Sequence, residues 1–178
     1  MEASAGAVRP AAREVVAAVP GRPEEVILRG PEVRGGASEQ LGFLAADGDV
    51  IAATLADFVR TEETVSAGES GVWGGPPRPE LPLLPVLRAG EFASDVAVAR
   101  GKVLVLAGSD GTAPRLVVHD VATGAQRERR LSRDAGAITA AGPFVAIVSQ
   151  RGDRDLTRII VRDSRTWRAR TGWWYAPT

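Results

Sequence analysis

The chain has 178 residues and a mass of 18.7 kDa, with 22 basic and 22 acidic side chains and 44% hydrophobic residues. This composition is typical of one globular domain and excludes a wholly disordered or fibrous chain. The absence of cysteine and asparagine excludes disulfides, thiolate metal sites and N-linked glycosylation. No apolar run reaches the roughly 18 residues needed to cross a bilayer, and none near the N-terminus is long enough for a signal peptide. We expect a soluble protein, cytoplasmic unless the chain is an N-terminally truncated fragment of an extracytoplasmic one.

The acidic and basic residues are divided unequally between the two halves of the chain. Residues 1–88 carry a net charge of −5 and residues 89–178 carry +5. A total of zero, with arginines interleaved with aspartates in the second half, argues against nucleic acid as a partner. The division predicts halves that attract each other or a complementary partner.

Taken in order, the chain is predicted to form short strands separated by turn residues, without significant helix. The N-terminal segment, residues 1–23, is expected to be partly irregular or a stray strand, followed by a strand at 25–29. A first group of strands is predicted at 41–47, 49–56, 71–74 and 82–88, where nearby prolines favour edge positions. A second group follows at 95–100, 103–107, 116–118 and 126–131, and a third at 137–141, 143–149, 158–163 and 166–170. Residues 171–178 form a C-terminal tail, whose aromatic residues 173–175 cap the last strand group or form a contact site.

The second and third strand groups match residue by residue, which indicates an internal repeat. Gly101 pairs with Gly142 at a step of 41, and residues 115–120 pair with residues 158–163 at a step of 43. The difference predicts a two-residue insertion between the second and third strands of the third copy. Gly48, 53 residues before Gly101, marks a weaker first copy.

The two clearest copies end in LVVHDVATG, residues 116–124, and IIVRDSRTW, residues 159–167. These endings, in units of about 41 residues with a buried second strand and a polar fourth one, resemble blades of bacterial β-propellers of the WD40-like or quinoprotein-like kind. The Gly-His and Trp-Asp pairs of a true WD40 repeat are missing, and Trp167 stands where the family usually has glycine. The resemblance covers roughly residues 24–170.

The expected fold is all-β, with about three four-stranded antiparallel blades of the β-propeller type at residues 41–88, 95–131 and 137–170. They form one repeat domain over residues 24–170. Because closed propellers use four or more blades, we predict an incomplete or open propeller. Its terminal blades would expose apolar faces and need a partner or a second copy. The side chains expected to be buried between blades include Val103, Val105, Phe144 and Ile147.

Three polar residues at strand ends of the repeat are predicted to be structural. His119 is the only histidine, and its repeat equivalent is Arg162, so we expect a polar surface residue on an outer strand. Asp120 and Asp163 each precede a threonine by three residues. At this spacing a carboxylate closes a turn by accepting hydrogen bonds from the backbone or a hydroxyl.

One face of the blades is the candidate binding face. The connection at residues 57–70 is about twice as long as its counterpart at 108–114, and extra loop length on a repeat scaffold is where binding function concentrates. Loops that emerge on this face contain Asp57, Arg60, Glu62, Glu63, Asp110, Arg151, Asp153 and Arg154. These carboxylates lack the spacing of a calcium loop, so no metal is assigned.

The sequence contains no recognisable constellation of nucleophile, base and orienting group. It predicts a non-catalytic, propeller-like binding module that contacts a protein partner or a second copy through its terminal blade faces. Neither a cofactor, a nucleic acid nor a membrane span is expected. The alternative is a fragment of a propeller enzyme, lactonase-like or quinoprotein-like, whose catalytic residues lie outside this chain, because resemblance to a fold implies no particular activity.

Overall fold

The computed structural model describes residues 14–17, 25–29, 38–60, 65–78, 81–109, 111–151 and 156–175. Within these ranges the regular structure is entirely β, and no helix long and apolar enough to cross a membrane occurs. The strands are β1 (Glu14–Ala17), β2 (Glu25–Arg29), β3 (Ser38–Asp47), β4 (Val50–Arg60), β5 (Val65–Gly75), β6 (Phe92–Ala99), β7 (Lys102–Gly108), β8 (Arg115–Asp120), β9 (Gln126–Arg130), β10 (Ala135–Ala141), β11 (Phe144–Arg151), β12 (Leu156–Asp163) and β13 (Ala169–Tyr175).

The strands form antiparallel sheets in which neighbours in sequence are also neighbours in space. β1 pairs with β2, and the remaining strands form the first sheet, β3-β4-β5, the second sheet, β6-β7-β8-β9, and the third sheet, β10-β11-β12-β13. The prediction of an all-β fold with antiparallel sheets is confirmed for the described residues, with three or four strands in each of these three sheets. The strand expected at residues 25–29 is β2.

The first sheet lacks the fourth strand predicted at residues 82–88, so that prediction is wrong. A short segment still runs antiparallel to β5. The Gly74 N–H donates to the Pro82 carbonyl over 3.1 Å, and the Leu84 N–H donates to the Val72 carbonyl over 2.8 Å. The prolines of the segment have no N–H and cannot propagate a regular ladder. The segment therefore lies along the edge of the first sheet without becoming a strand.

The long connection predicted at residues 57–70 is also wrong. β4 continues to Arg60 and β5 begins at Val65, and these two residues are still paired across the hairpin. Phe58 and Val59 have strong strand preference, which outweighs the polar residues around them. The extra length therefore extends a hairpin.

The tight turns between the first two strands of each sheet differ from the predicted alignment of the strand groups. Gly48, Arg100 and Gly142 are the first central residues of these turns, with φ of 57, 49 and 52 degrees, whereas Gly101 is a second central residue. Gly101 is therefore not equivalent to Gly142, and the step between the hairpins β6-β7 and β10-β11 is 42 residues. Because β8 and β12 keep a step of 43, the third sheet has one more residue than the second between its second and third strands, and not two as predicted.

The three sheets stack face to face around two apolar cores, with the second sheet in the middle. One face of the second sheet packs on the first sheet in a core that includes Val72, Val96, Val103, Val105 and Val117. Its other face packs on the third sheet in a core that includes Leu104, Leu106, Leu116, Val145 and Ile147. β7 is thus buried on both faces, which explains its near-continuous apolar sequence. The predicted burial of Val103, Val105 and Ile147 is confirmed.

Phe144 was expected in the same core, but its side chain is 43% exposed, so that prediction is wrong. Side chains alternate between the two faces of β11, and Val145 and Ile147 pack toward the second sheet. Phe144 consequently lies on the opposite face of the third sheet, which no other described sheet covers.

Contacts between the sheets concentrate on β6, the first strand of the second sheet. β6 contacts β3, β4 and β5 on one side and β10 on the other, and β10 also reaches β7. The outer strands β9 and β13 take no part in these main contacts between sheets.

Candidate functional site

The described part of the chain contains only three of the eight residues of the predicted binding face. Asp57 and Arg60 lie in β4, and Arg151 ends β11. The other five, Glu62, Glu63, Asp110, Asp153 and Arg154, lie outside the described residues. This face stays a prediction. Among the described residues no group of three or more His, Asp or Glu side chains could hold a metal ion.

A buried ion pair holds the segment before β6 against the second sheet. Arg115, 8% exposed, donates twice to Glu91, from Nε to Oε1 over 2.7 Å and from Nη2 to Oε2. The same guanidinium donates to the Val86 carbonyl over 2.8 Å and to Glu128 Oε1 over 2.9 Å. The hydrogen bond from Arg115 lowers the pKa of Glu91 and raises the pKa of Arg115. All of these hydrogen bonds are made within the fold, so the guanidinium links the segment before β6 to β8 and β9.

His119 is buried in β8, 6% exposed, so the predicted surface position is wrong. Its side chain shares a face with Val103 and Val117, which pack toward the first sheet. Burial lowers the pKa of the imidazole, and its Nδ1 atom has no hydrogen-bond partner. A buried imidazole whose Nδ1 atom has no partner to orient it fits a packing role and does not resemble a positioned general base.

Asp120 and Asp163 close equivalent turns, which confirms the role predicted from their spacing. Asp120 Oδ1 accepts from the Thr123 N–H over 3.1 Å and from its hydroxyl over 3.0 Å. Asp163 Oδ1 accepts from the Thr166 N–H over 2.8 Å and from its hydroxyl over 3.0 Å. The pKa of Asp120 falls to about 2, chiefly through the hydrogen bond from Lys102, and the Thr166 backbone bond is the main cause that lowers the pKa of Asp163.

Trp167 lies beside two arginines in the turn before β13. The Arg129 guanidinium carbon is 5.3 Å from its ring centroid and that of Arg162 is 5.7 Å away, both within cation–π range. Arg162 Nη1 also donates to the Trp167 carbonyl over 3.0 Å. The indole packs against the core between the second and third sheets. Since Arg129 belongs to β9, the ring forms a local contact between the second and third sheets.

A carboxylate from a first strand crosses each junction between sheets. Asp47 Oδ2, at the end of β3, accepts from the Arg100 N–H over 2.9 Å. Asp95 in β6 accepts from the Ile138 N–H through Oδ2 and from the Val96 N–H through Oδ1, each over 2.8 Å. Burial raises the pKa of Asp95, although both hydrogen bonds oppose that shift. These carboxylates fix the positions of neighbouring sheets relative to each other.

The third sheet turns an apolar face away from the second sheet, here named the outer face of the third sheet. Strand register places on it Phe144, Ala146, Val148, Ile159, Val161 and Trp173. Phe144 is 43% and Trp173 54% exposed, and none of the six belongs to an apolar core of the described residues. Trp173 lies in β13, together with the other aromatic residues that the sequence placed in a tail.

The first sheet has a corresponding outer face at the other end of the stack. It consists of Leu44, Ile51, Ala53, Leu55 and Trp73, and Leu81 from the edge segment packs on it. Leu83 in the same segment is 63% exposed. The stack therefore ends in an apolar face on both sides, but Ala53 and Leu81 are buried, so the edge segment already covers part of the outer face of the first sheet.

The roles of Arg115 and Asp95 were not predicted from the sequence. Arg115 shares the alternate positions of Val117 and His119 on β8, and an inward arginine requires a carboxylate partner. Asp95 interrupts an otherwise small and apolar strand, which is a signal for a buried acceptor. Neither signal identifies the partner group.

No protein-family model matches the sequence, and a search of curated proteins gives no match. A function can therefore be inferred only from the arrangement of the described residues. Their buried polar groups are largely engaged within the fold, and their most exposed apolar side chains lie at the two ends of the stack.

Proposed function

We propose that this protein is a non-catalytic, propeller-type binding module that contacts a protein partner through the outer faces of its first and third sheets. The observation that carries the proposal is the pair of apolar faces at opposite ends of one stack. Exposed apolar patches of this kind mark contact surfaces on folded proteins. Phe144 and Trp173, exposed on the outer face of the third sheet, are of residue types enriched at such interfaces.

The contacts that β6, an edge strand of the second sheet, makes with both neighbouring sheets support the propeller-type arrangement. In a propeller the blades surround a central channel, so one edge strand of each blade lies near the axis and the other lies far from it. The second and third sheets touch mainly through β6 and β10, all three strands of the first sheet contact β6, and Asp47 and Asp95 cross between sheets with hydrogen bonds. Since closed propellers have four or more blades, the first, second and third sheets do not close a ring, and the outer faces of the first and third are the surfaces that we propose for a partner.

The polar groups of the described residues support binding over catalysis. Arg115 and Asp95 are engaged in contacts between segments of the fold. The one histidine of the sequence is buried, and burial lowers its pKa, whereas a catalytic base must reach a substrate.

Hydrophobic-dye binding by the full chain tests the proposal. At about 0.1 µM, where self-association is disfavoured, we expect a dye such as anilinonaphthalene sulfonate to bind the folded protein. Ile159→Glu, on the outer face of the third sheet, should lower the dye signal several-fold. Arg127→Glu is the matched control. It changes an exposed residue of β9 and should leave the dye signal unchanged. Circular dichroism checks that each variant keeps its β spectrum. A folded parent protein that binds no dye would contradict the proposal, because its apolar faces would be covered within one chain.

A further inference from the structure

We propose that the partner is a second copy of this chain, bound head to tail. The outer face of the third sheet of one copy lies on the outer face of the first sheet of the next. This inference rests on the proposed function and adds the identity of the partner. The basis of the inference is the repeat. Because the sheets are similar, the two outer faces should fit each other as the faces already packed inside the stack do.

The outer face of the third sheet repeats the face that the second sheet turns toward the third. Leu106 pairs with Leu116 across the second sheet, and Val148 pairs with Ile159 at the same place in the third. Leu106 and Leu116 are fully buried in the core between the sheets, whereas Val148 and Ile159 stay partly exposed. The third sheet therefore presents to solvent the surface that the second sheet uses to hold its neighbour.

The outer face of the first sheet repeats the opposite side of such a junction. Val105 pairs with Val117 across the second sheet, and Ala53 pairs with Trp73 at the same place in the first. Val105 and Val117 are buried against the first sheet, whereas Ala53 and Trp73 belong to its outer face, where Ala53 is covered by its neighbours and Trp73 stays partly exposed. The two outer faces thus correspond to the two sides of one existing junction.

The existing junction also predicts which residues meet. Gly74 of the first sheet lies against Val103 of the second, since a Cβ added at Gly74 would be 3.0 Å from Val103 Cγ2. By strand register, Val161 holds the place of Gly74 in the third sheet, and Ile51 holds the place of Val103 in the first. A head-to-tail contact therefore brings Val161 of one copy next to Ile51 of the other.

Charge favours this arrangement over a contact between two identical faces. Residues 1–88, which include the first sheet, have a net charge of −5, and residues 89–178, which include the third, have +5. A head-to-tail contact joins opposite charges, whereas two third sheets would join like charges. Such a contact between different faces closes into a ring only if its rotation fits, and two copies would supply six sheets of the kind described here.

The contact between copies lacks one bond that the chain makes at its own junctions. Asp47 and Asp95 cross the two inner junctions, but β10 contains no carboxylate. The contact between copies therefore rests on apolar burial, and we expect association that depends on protein concentration.

Disulfide trapping tests the inference against a clean background, because the chain has no cysteine of its own. Ile51→Cys and Val161→Cys are prepared separately in the full chain, mixed at about 10 µM and oxidised mildly. We expect the mixture to give a linked dimer in roughly tenfold excess over either variant alone, because a disulfide requires Cβ atoms about 4 Å apart. Ile51→Cys mixed with Arg127→Cys, on the exposed strand β9, is the control and should give little linked product.

Sedimentation velocity on the unmodified chain completes the test. The average mass of the protein should rise with its concentration. A monomer up to about 100 µM, with no linked product in the mixture, would overturn the inference. If that monomer still binds the hydrophobic dye, the proposed function stands with a different partner, and if it binds none, both proposals fail. A linked dimer formed by Val161→Cys alone, in equal yield, would show a contact between identical faces and also overturn the head-to-tail arrangement.

Discussion

Trp167 occupies the same left-handed backbone position as Gly124. Their φ angles are 61 and 70 degrees, and each N–H donates over 2.8 Å to the carbonyl of the aspartate that closes its turn. Glycine adopts this conformation freely, whereas a residue with a Cβ atom is strained in it. The third sheet thus accepts backbone strain at a position where the indole can contact Arg129 and Arg162.

Two substitutions at Trp167 separate the strain from the contacts. Trp167→Ala removes the ring but keeps a Cβ atom in the left-handed position, whereas Trp167→Gly removes both. We expect each to lower the free energy of unfolding by about 1–3 kcal/mol through lost burial and cation–π contacts. The glycine variant should be about 1 kcal/mol more stable than the alanine variant. Urea denaturation measures the difference.

Gly124→Ala is the matched control for this prediction. A Cβ added at Gly124 meets no atom within 4 Å, so the substitution changes only the backbone preference. We expect a loss of about 1 kcal/mol. An alanine variant at Trp167 that is more stable than the glycine variant would show that the left-handed position is not strained.

The strands of the second sheet could be predicted closely from the sequence because turn residues bound each of them. The strands expected at 103–107 and 126–131 are Lys102–Gly108 and Gln126–Arg130. In the first sheet the same reasoning failed at the prolines, because the segment after β5 makes two backbone hydrogen bonds beside that strand without continuing a ladder. Local propensity does not distinguish these two outcomes.

The burial of individual side chains could be predicted only in part. Alternation along β8 places His119 on the same face as Val117, but only the stacked first sheet makes that face an interior one. Phe144 has the same apolar character as its neighbours in β11, yet it lies on the face that has no described neighbour. Which face of a sheet is covered depends on the order of sheets in space, and the local sequence does not contain that order.

Removing Arg115 alone should lower the free energy of unfolding far more than removing Arg115 and Glu91 together. Arg115→Met leaves the Glu91 carboxylate without its main partner in a largely buried place, and we expect a loss of about 3–5 kcal/mol in the free energy of unfolding. Adding Glu91→Leu removes the unpaired charge and should restore much of that loss. Urea denaturation of the single and double variants measures both values.

Arg88 supplies the control for this prediction, because it pairs with Glu128 with its own side chain 63% exposed. Arg88→Ala should change stability by less than about 1 kcal/mol. A double variant at Arg115 and Glu91 that is as unstable as Arg115→Met would mean that lost packing, and not the unpaired carboxylate, determines the effect.

His119→Ala should destabilise the protein, in contrast to the tolerance expected of a surface residue. The buried position predicts a loss of about 1–3 kcal/mol. His119→Leu should lose less, because leucine fills the volume and Nδ1 has no partner to give up. Thermal or urea unfolding of the two variants at pH 8 measures the order, and equal stability of His119→Ala and the parent chain would contradict the burial of this side chain.

The same residue predicts a pH dependence. Burial lowers the pKa of His119 from its usual value of 6.5, so the unfolded chain binds the proton more tightly than the folded one. The stability that follows from this shift is fully present above about pH 6.5 and is lost as the pH falls through the lower pKa of the folded state. Because the sequence has no other histidine, His119→Leu should flatten the stability profile in this range. A slope that persists in the variant would assign it to other groups.

Asp95→Ala removes the acceptor of two backbone N–H groups, those of Val96 and Ile138, and so breaks the bond between β6 and β10. We expect a loss of about 1–3 kcal/mol, with Asp95→Asn intermediate, since its amide has one oxygen for two donors. Asp134→Ala, at an exposed position, is the control.

The pKa of Asp95 is raised by burial, so the contribution of this carboxyl group to stability is greatest below the unfolded value of 3.8 and falls as the pH rises through the folded pKa. The stability difference between the parent chain and Asp95→Ala, measured by urea denaturation from pH 3.5 upward, should therefore shrink as the pH rises. A difference that grows with pH would show that the two hydrogen bonds outweigh the effect of burial on this carboxyl group.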